Sequence, residues 1–303
     1  MSDKQNLSHH GVEERTFIKK HANPLLELLY NRASCRAFLR KRVSDKVMVD
    51  ILEASIKSAT GGNLQPYSII RISDSEKRKT LAGLCGQNFI AEAPVNLLFC
   101  IDWRRLQRWA ALEKAPFSAQ RSFRHFWISF QDTIISAQNL CTAADSIGLG
   151  TVYIGTIIEH FLKLKKIFKL PKLVFPVILL CLGYPKAKPV PRKKLGIDVI
   201  VHDEEYHELD DSTLLNAFGR KYEGQKISAS EENIKKFYET CKNVEGEKFA
   251  DECLKNVKDK GYISPVQRYF GLHYRADEMS RGNEKFMKVI KKFGFNWFED
   301  IHR

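Results

Sequence analysis

At 303 residues the chain is long enough for one large domain, or a domain with an appendage, and can bury a sizeable core. It is 28% charged with a formal net charge of +13, and its longest apolar runs, 95–101 and 174–183, are strand length. They fall far short of the roughly 18–20 residues of a membrane span, and the polar start MSDKQNLSHHGVEERTFIKK has no apolar signal region, so a cytoplasmic protein is expected.

Asn23-Pro24 opens a short amphipathic helix, with proline at the first helical position. In the following NRASCRAF, residues 31–38, Arg32, Ser34 and Arg36 alternate, so an extended backbone points them the same way. Two guanidiniums and a hydroxyl on one side suit a phosphate clamp. They suit a charged edge strand equally well.

Ser44-Asp45 caps a helix to about Ala59, with Val47, Ile51 and Ala54 turned inward. Thr60, Gly61, Gly62 and Asn63 then form a backbone-rich loop able to wrap a flat ligand. Residues 67–72 read as a strand, 73–75 cap a helix through Leu84, and 85–88 are a polar turn containing Gln87. Pro94 leads into a second strand, 95–101. The basic and aromatic stretch 103–123 shows no clean periodicity.

Residues 126–155, FWISFQDTIISAQNLCTAADSIGLGTVYIG, carry only two charges, Asp132 and Asp145. Apolar and small residues recur on two overlapping helical faces, so the helix 126–147 must be covered on nearly all sides, inside a domain or between subunits. Gly148 ends it. Residues 151–154 read as a buried strand, and Gly155 permits close backbone approach. A buried helix, a strand and a glycine make a ligand-facing corner. It is not a dinucleotide fingerprint, because Tyr153 stands where the third glycine belongs and the strand follows the helix. Nor is it an NTPase phosphate loop, because Thr156 stands where lysine is needed.

A basic helix, 159–170, precedes a continuous apolar run, 175–182, read as a strand buried on both faces. Between Lys163 and Ile197 there are ten basic residues and no acid. A solvated lysine face and a site for a phosphate-bearing ligand both fit. No nucleic-acid motif accompanies the charge, so no nucleic-acid partner is expected. Residues 198–202 read as an edge strand. Seven scattered cysteines without C-x-x-C spacing read as reduced, mostly buried thiols, with no disulfide and no metal site. The chain divides into an arm (1–24), a main domain (25–225) and a helical extension (226–303).

Four pieces, in order, resemble the FMN-dependent nitroreductase and flavin reductase family, with most similarity to its NADPH-using, oxygen-insensitive subgroup. They are RASCRAF, SATGGNLQPYSIIRISD, AQNLCTAADSIGLGTVYIG, and FPVILLCLGYP with the downstream PRKKLGIDVIVHDEEY. The resemblance implies an α+β fold, a mixed sheet flanked by helices, with the long central helix at a homodimer interface. It implies FMN held at the phosphate by Arg32, Ser34, Arg36, Arg192 and Lys194. Thr60, Gly61, Gly62 and Asn63, expected from the partner chain, would reach the flavin, as would Gln87 and the backbone of Tyr153, Ile154, Gly155 and Thr156. NAD(P)H would reduce the flavin, and a nitroaromatic, quinone or free flavin would take the electrons in ping-pong order. The flavin supplies the chemistry, so no catalytic side chain is expected. A reductive dehalogenase-like enzyme and a non-catalytic flavin-binding redox sensor are the alternatives. The extension, with Tyr269, Phe270, His273, Tyr274 and Arg275, is expected to shape the acceptor pocket and to be dispensable for flavin binding.

Overall fold

The computed structural model describes residues 22–299, in two compact units. The first comprises residues up to Arg192 together with those from Phe286 on, and the second is Lys193–Lys285.

The first unit opens with α1 (Pro24–Asn31), whose N-terminus is capped by the Asn23 carboxamide, and α2 (Asp45–Ile56), capped by Ser44. Strand β1 (Tyr67–Ile72) leads to α3 (Ser75–Cys85), which begins at the Asp74 carboxylate and ends at left-handed Gly86. The short α4 (Phe89–Glu92) turns the chain into β2 (Val95–Asp102). Next come α5 (Trp103–Leu112), the 24-residue α6 (Phe123–Ser146), β3 (Gly150–Ile154), α7 (Phe161–Ile167) and β4 (Val174–Gly183).

The strands form one sheet in the order β1-β2-β4-β3. Every residue of β2, in the middle, is buried. The period-2 alternation divides its side chains between two cores. Leu97 and Phe99 face Ala137, Leu140 and Ala144 of α6 with Met48 and Ile51 of α2. Leu98 and Cys100 face the opposite layer, built from α3, α4, α7 and the returning C-terminal residues.

The α+β expectation with helices on a central sheet therefore holds, but all three strand pairings among the described residues are antiparallel, where a mixed sheet was expected. The edge strand expected at 198–202 is absent. Residues Ile197–Val199 form a 3-10 turn, and among the described residues no strand pairs with this segment, so a strand here would leave its backbone groups unpaired. The stretch after β2 does contain a helix, α5. Asp102 caps it by accepting from the Arg105 amide at 3.0 Å, and its inner face is only Trp103 and Leu106, too few residues to show a period.

The central helix is apolar on both sides, as read, but the rest of the chain, among the described residues, covers only one of them. Ala137, Leu140, Cys141 and Ala144 are fully buried, whereas Phe123 and Trp127 are 52% and 53% exposed and Phe130 and Ile135 are also open.

The second unit contains α8 (Asp211–Lys221), the hairpin of α9 (Glu231–Glu245) and α10 (Glu247–Lys260) joined at Gly246, and α11 (Pro265–Arg268). An antiparallel bridge joins Ile227 to Ile263, over a small core of Phe237, Cys241, Ala250, Val257 and Ile263. Tyr269, Phe270, His273 and Tyr274 cluster after α11, and Arg275 is occupied by Asp277 at 2.8 Å.

The two units divide at Lys193, ahead of the expected boundary at 226. The last helix, α12 (Asn283–Lys292), has its residues from Phe286 on in the first unit. Phe293 stacks edge-on to Phe175 at 5.0 Å, and its carbonyl accepts from the Leu173 amide at 2.7 Å. Phe293 and Phe295 are fully buried. Phe293 and Phe295 are thus part of the first unit's core. All seven cysteines are free thiols, six of them buried. Among the described residues no helix is long and apolar enough to cross a membrane, and no cluster of His, Cys, Asp or Glu suits a metal ion.

Candidate functional site

Residues 32–39 run extended beside the sheet. The Cys35 amide donates to the Thr151 carbonyl of β3 at 2.9 Å, and Leu39 and Lys186 amides tie the segment to the end of β4. Gly150 makes this approach possible, since a Cβ there would sit 2.5 Å from the Cys35 Cβ. Cys35 and Phe38 point into the core. Ser34 and Arg36 point to solvent, as the alternation requires, and among the described residues neither forms a hydrogen bond or ion pair.

Arg32 behaves differently from its two neighbours in the motif. Its guanidinium turns inward to Asp145 of α6 (Nε–Oδ2, 3.5 Å), and Nη2 donates to the Cys141 Sγ at 3.0 Å and to the Thr151 Oγ1 at 3.5 Å. Its Cζ lies 5.9 Å from the Tyr153 ring centre. Burial pushes the Asp145 carboxyl up to about 6, with Arg32 pulling the other way. Burial also raises the Cys141 and Tyr153 groups above their ordinary values.

Gln87 and Thr156, 69 residues apart, meet directly: the Gln87 Nε2 donates to the Thr156 Oγ1 at 3.0 Å. Left-handed Gly86 aims the Gln87 turn, and Thr156 lies in the 3-10 turn that follows β3. Between Thr156 and the strand, Gly155 is exposed, with open space within 4 Å of where its Cβ would stand. A flat ligand can lie against that backbone. Ile154 offers only its backbone, because its side chain is buried, and Tyr153 turns to α6, where its hydroxyl donates to the Gln138 Oε1 at 3.3 Å.

The Thr60–Asn63 loop is held against the other end of α6. The Gly61 amide donates to both carboxylate oxygens of Asp132, at 3.1 and 3.3 Å, and the Thr60 hydroxyl accepts from the Gln65 amide. Gly62 adopts φ +58°, a left-handed conformation that suits glycine. Asp132 and Asp145 stand thirteen residues apart on one helix, hence about 20 Å along its axis. The loop is therefore remote from Arg32 within the chain. Arg192 is exposed and unpaired among the described residues, six residues beyond the Lys186 amide that bonds the Ala37 carbonyl. Lys194 is exposed and belongs to the second unit.

Sequence reasoning overlooked what Asp132 and Asp145 do. The available signal was their isolation in an otherwise uncharged stretch of thirty residues.

Among the described residues Arg36 and Arg192 have no acid partner, Gly155 presents an open backbone, and Gln87 and Thr156 pair an amide with a hydroxyl; each is the kind of group that suits a flat, phosphate-bearing cofactor. The chain belongs to the nitroreductase family, whose model matches residues 29–184. It is 35% identical over 193 residues to the oxygen-insensitive NADPH nitroreductase of Salmonella typhimurium, an alignment covering 63% of this chain and 78% of that protein. It is 31% identical to the NADPH-flavin oxidoreductase of Vibrio harveyi, over 70% of this chain and 90% of that one. A solved structure from Bacteroides fragilis, at 27% identity, superposes with a TM-score of 0.73 over 89% of this chain and 99% of its own. That coverage exceeds the residues ahead of 226, so much of the extension is shared with that protein as well.

Proposed function

We propose that this protein is an FMN-dependent NADPH oxidoreductase of the nitroreductase or flavin reductase type. The observation that carries the reading is the Ser34–Arg36 pair, exposed and, among the described residues, unengaged on a segment bonded to the strand that leads to Gly155. The names of the relatives, NADPH nitroreductase and NADPH-flavin oxidoreductase, agree with it.

Ser34 and Arg36 would hold the FMN phosphate. Arginine supplies a bidentate fork, and a phosphate entering a partly enclosed site needs both charge and oriented donors. Arg192 is assigned to the same phosphate on its place in the family motif, and Arg32 to its edge; Lys194, which that motif also implies, belongs to the second unit. Gln87, Thr156 and the Gly155 backbone would line the isoalloxazine ring. When bound, FMN supplies the hydride chemistry between NADPH and an acceptor. The protein's part is to orient the ring, leave one face open to the two substrates in turn, and place N–H donors where negative charge develops.

Two observations support a homodimer. Phe123, Trp127 and Phe130 form an open apolar stripe on α6, with Ile135 exposed farther round the helix, and the Thr60–Asn63 loop is about 20 Å along α6 from the Arg32 anchor. A partner related by two-fold symmetry would cover the stripe and bring its loop to this protomer's flavin.

The test is the absorbance spectrum of the purified protein, followed by stopped flow. Flavin bands, rapid bleaching by NADPH and rapid reoxidation by a quinone are expected. A colourless protein that takes up no FMN overturns the cofactor assignment, and bound flavin with very slow reduction would make the protein a sensor rather than a reductase.

A further inference from the structure

The only two charges in residues 126–155 each hold one part of the candidate site, from opposite ends of one rigid helix. Asp132 anchors the loop. Gly62, Asn63 and Gln65 all have positive φ (+58°, +53° and +48°), a conformation that side chains other than glycine resist. Such a loop persists only where its surroundings over-determine it.

The polar row Asp132, Ser136 and Asn139 of α6, at i, i+4 and i+7, does this from one face. Asp132 takes the Gly61 amide, Ser136 meets the Ser55 hydroxyl at 2.9 Å, and the Asn139 Nδ2 donates to the Ala54 carbonyl at 2.5 Å. The last two fix the end of α2 from which the loop departs.

Asp145 anchors the clamp. It pairs with the Arg32 Nε and accepts from the Thr151 hydroxyl at 3.2 Å, so helix, strand and clamp segment meet at one carboxylate. Arg32 cannot swing freely while these contacts hold.

We propose that Asp132 and Asp145 are positioning residues of the flavin site: Asp132 fixes the Thr60–Asn63 loop through the Gly61 amide, and Asp145 fixes the phosphate clamp through Arg32. This rests on the FMN reading above. The two roles leave different signatures. The loop carries no cation, so it cannot distinguish FMN from riboflavin. Arg32 can, because only FMN has the phosphate.

The experiment titrates FMN and riboflavin separately into deflavinated parent, Asp132→Asn and Asp145→Asn protein by fluorescence quenching, with thermal melts of each. Losing a charge-assisted contact is expected to weaken binding about tenfold. Asp145→Asn should lose about tenfold for FMN and less than about twofold for riboflavin, whereas Asp132→Asn should lose similar factors for both. Asp145→Glu, which keeps the charge, should restore part of the discrimination. Should an amide variant fail to fold, Thr151→Val reads the Arg32 network from the strand and Asn139→Ala reads the loop anchor from α6. An Asp145→Asn protein that loses both ligands equally, or binds FMN more tightly, overturns the clamp role. Unchanged affinities in Asp132→Asn overturn the loop role. A parent that binds neither flavin removes the cofactor reading and this inference together.

Discussion

Arg32 and Arg36 are two residues of one motif, yet the structure predicts that their loss has different consequences. Arg36 is exposed and, among the described residues, unpaired, so Arg36→Ala removes nothing from the folded apoprotein. It should leave the melting temperature unchanged while removing one charge-assisted contact with the FMN phosphate. Such contacts contribute roughly 1.5–3 kcal/mol, or about one to two orders of magnitude in Kd. Arg32→Ala leaves Asp145 without its cation in a site that already pushes its carboxyl up to about 6. Removing one partner of a buried ion pair costs about 3–5 kcal/mol. Asp145 retains the Thr151 hydroxyl as a donor and Arg32 is itself partly exposed, so the lower end of that range, about 3 kcal/mol, is the expected loss. The assay is a urea melt of each apoprotein beside a titration with FMN and with riboflavin. Arg36→Ala should change FMN affinity alone, and Arg32→Ala should lower both FMN affinity and stability. Parent-like FMN binding by Arg36→Ala, or parent-like stability of Arg32→Ala, refutes this division of labour.

Trp127→Glu and Phe130→Glu should move the protein toward monomer in size-exclusion chromatography. A charge at the fully buried Ala137 or Ala144 should instead prevent the subunit from folding, because those residues face the sheet. Phe293→Ala should cost about 3–5 kcal/mol in a denaturant melt, since it empties a site against Phe175. A chain ending near Gln225, which the sequence reading expected to keep its flavin, should be destabilised for the same reason, as it lacks Phe293 and Phe295 altogether. For pH, the Asp145 carboxyl is raised in the fold from 3.8 to about 6, so the folded state binds more protons than the unfolded state between those values. Stability from this group is full below about 4 and is lost as pH rises through about 6. The parent should therefore lose ground to Asp145→Asn over that interval, by at most about 3 kcal/mol. Melts of both proteins from pH 4.5 to 7.5 check the sign.

The sequence by itself determined the elements whose causes are local. Continuous apolar runs identified β2 and β4, because a strand buried on both faces needs no polar residue on either. Ser44 and Asp74 marked helix starts, Gly148 marked a helix end, and the alternation in residues 32–36 set Ser34 and Arg36 on one side of their segment, although Arg32, expected on that side too, turns inward. Fold class and family were legible for the same reason: each motif is a short stretch whose backbone conformation its own residues specify.

Tertiary structure alone decided what depends on contacts distant in sequence. Apolarity all round α6 could not say that Ala137 meets the sheet while Trp127 stays open. The weakly patterned C-terminal residues gave no sign that Phe293 and Phe295 return to the first core, because a few aromatic residues reveal a partner only once it is in place. Arg32 looked identical in role to Arg36. Only the packing of α6 beside β3 places Asp145 next to one and not the other, and a buried acid takes the cation within its reach.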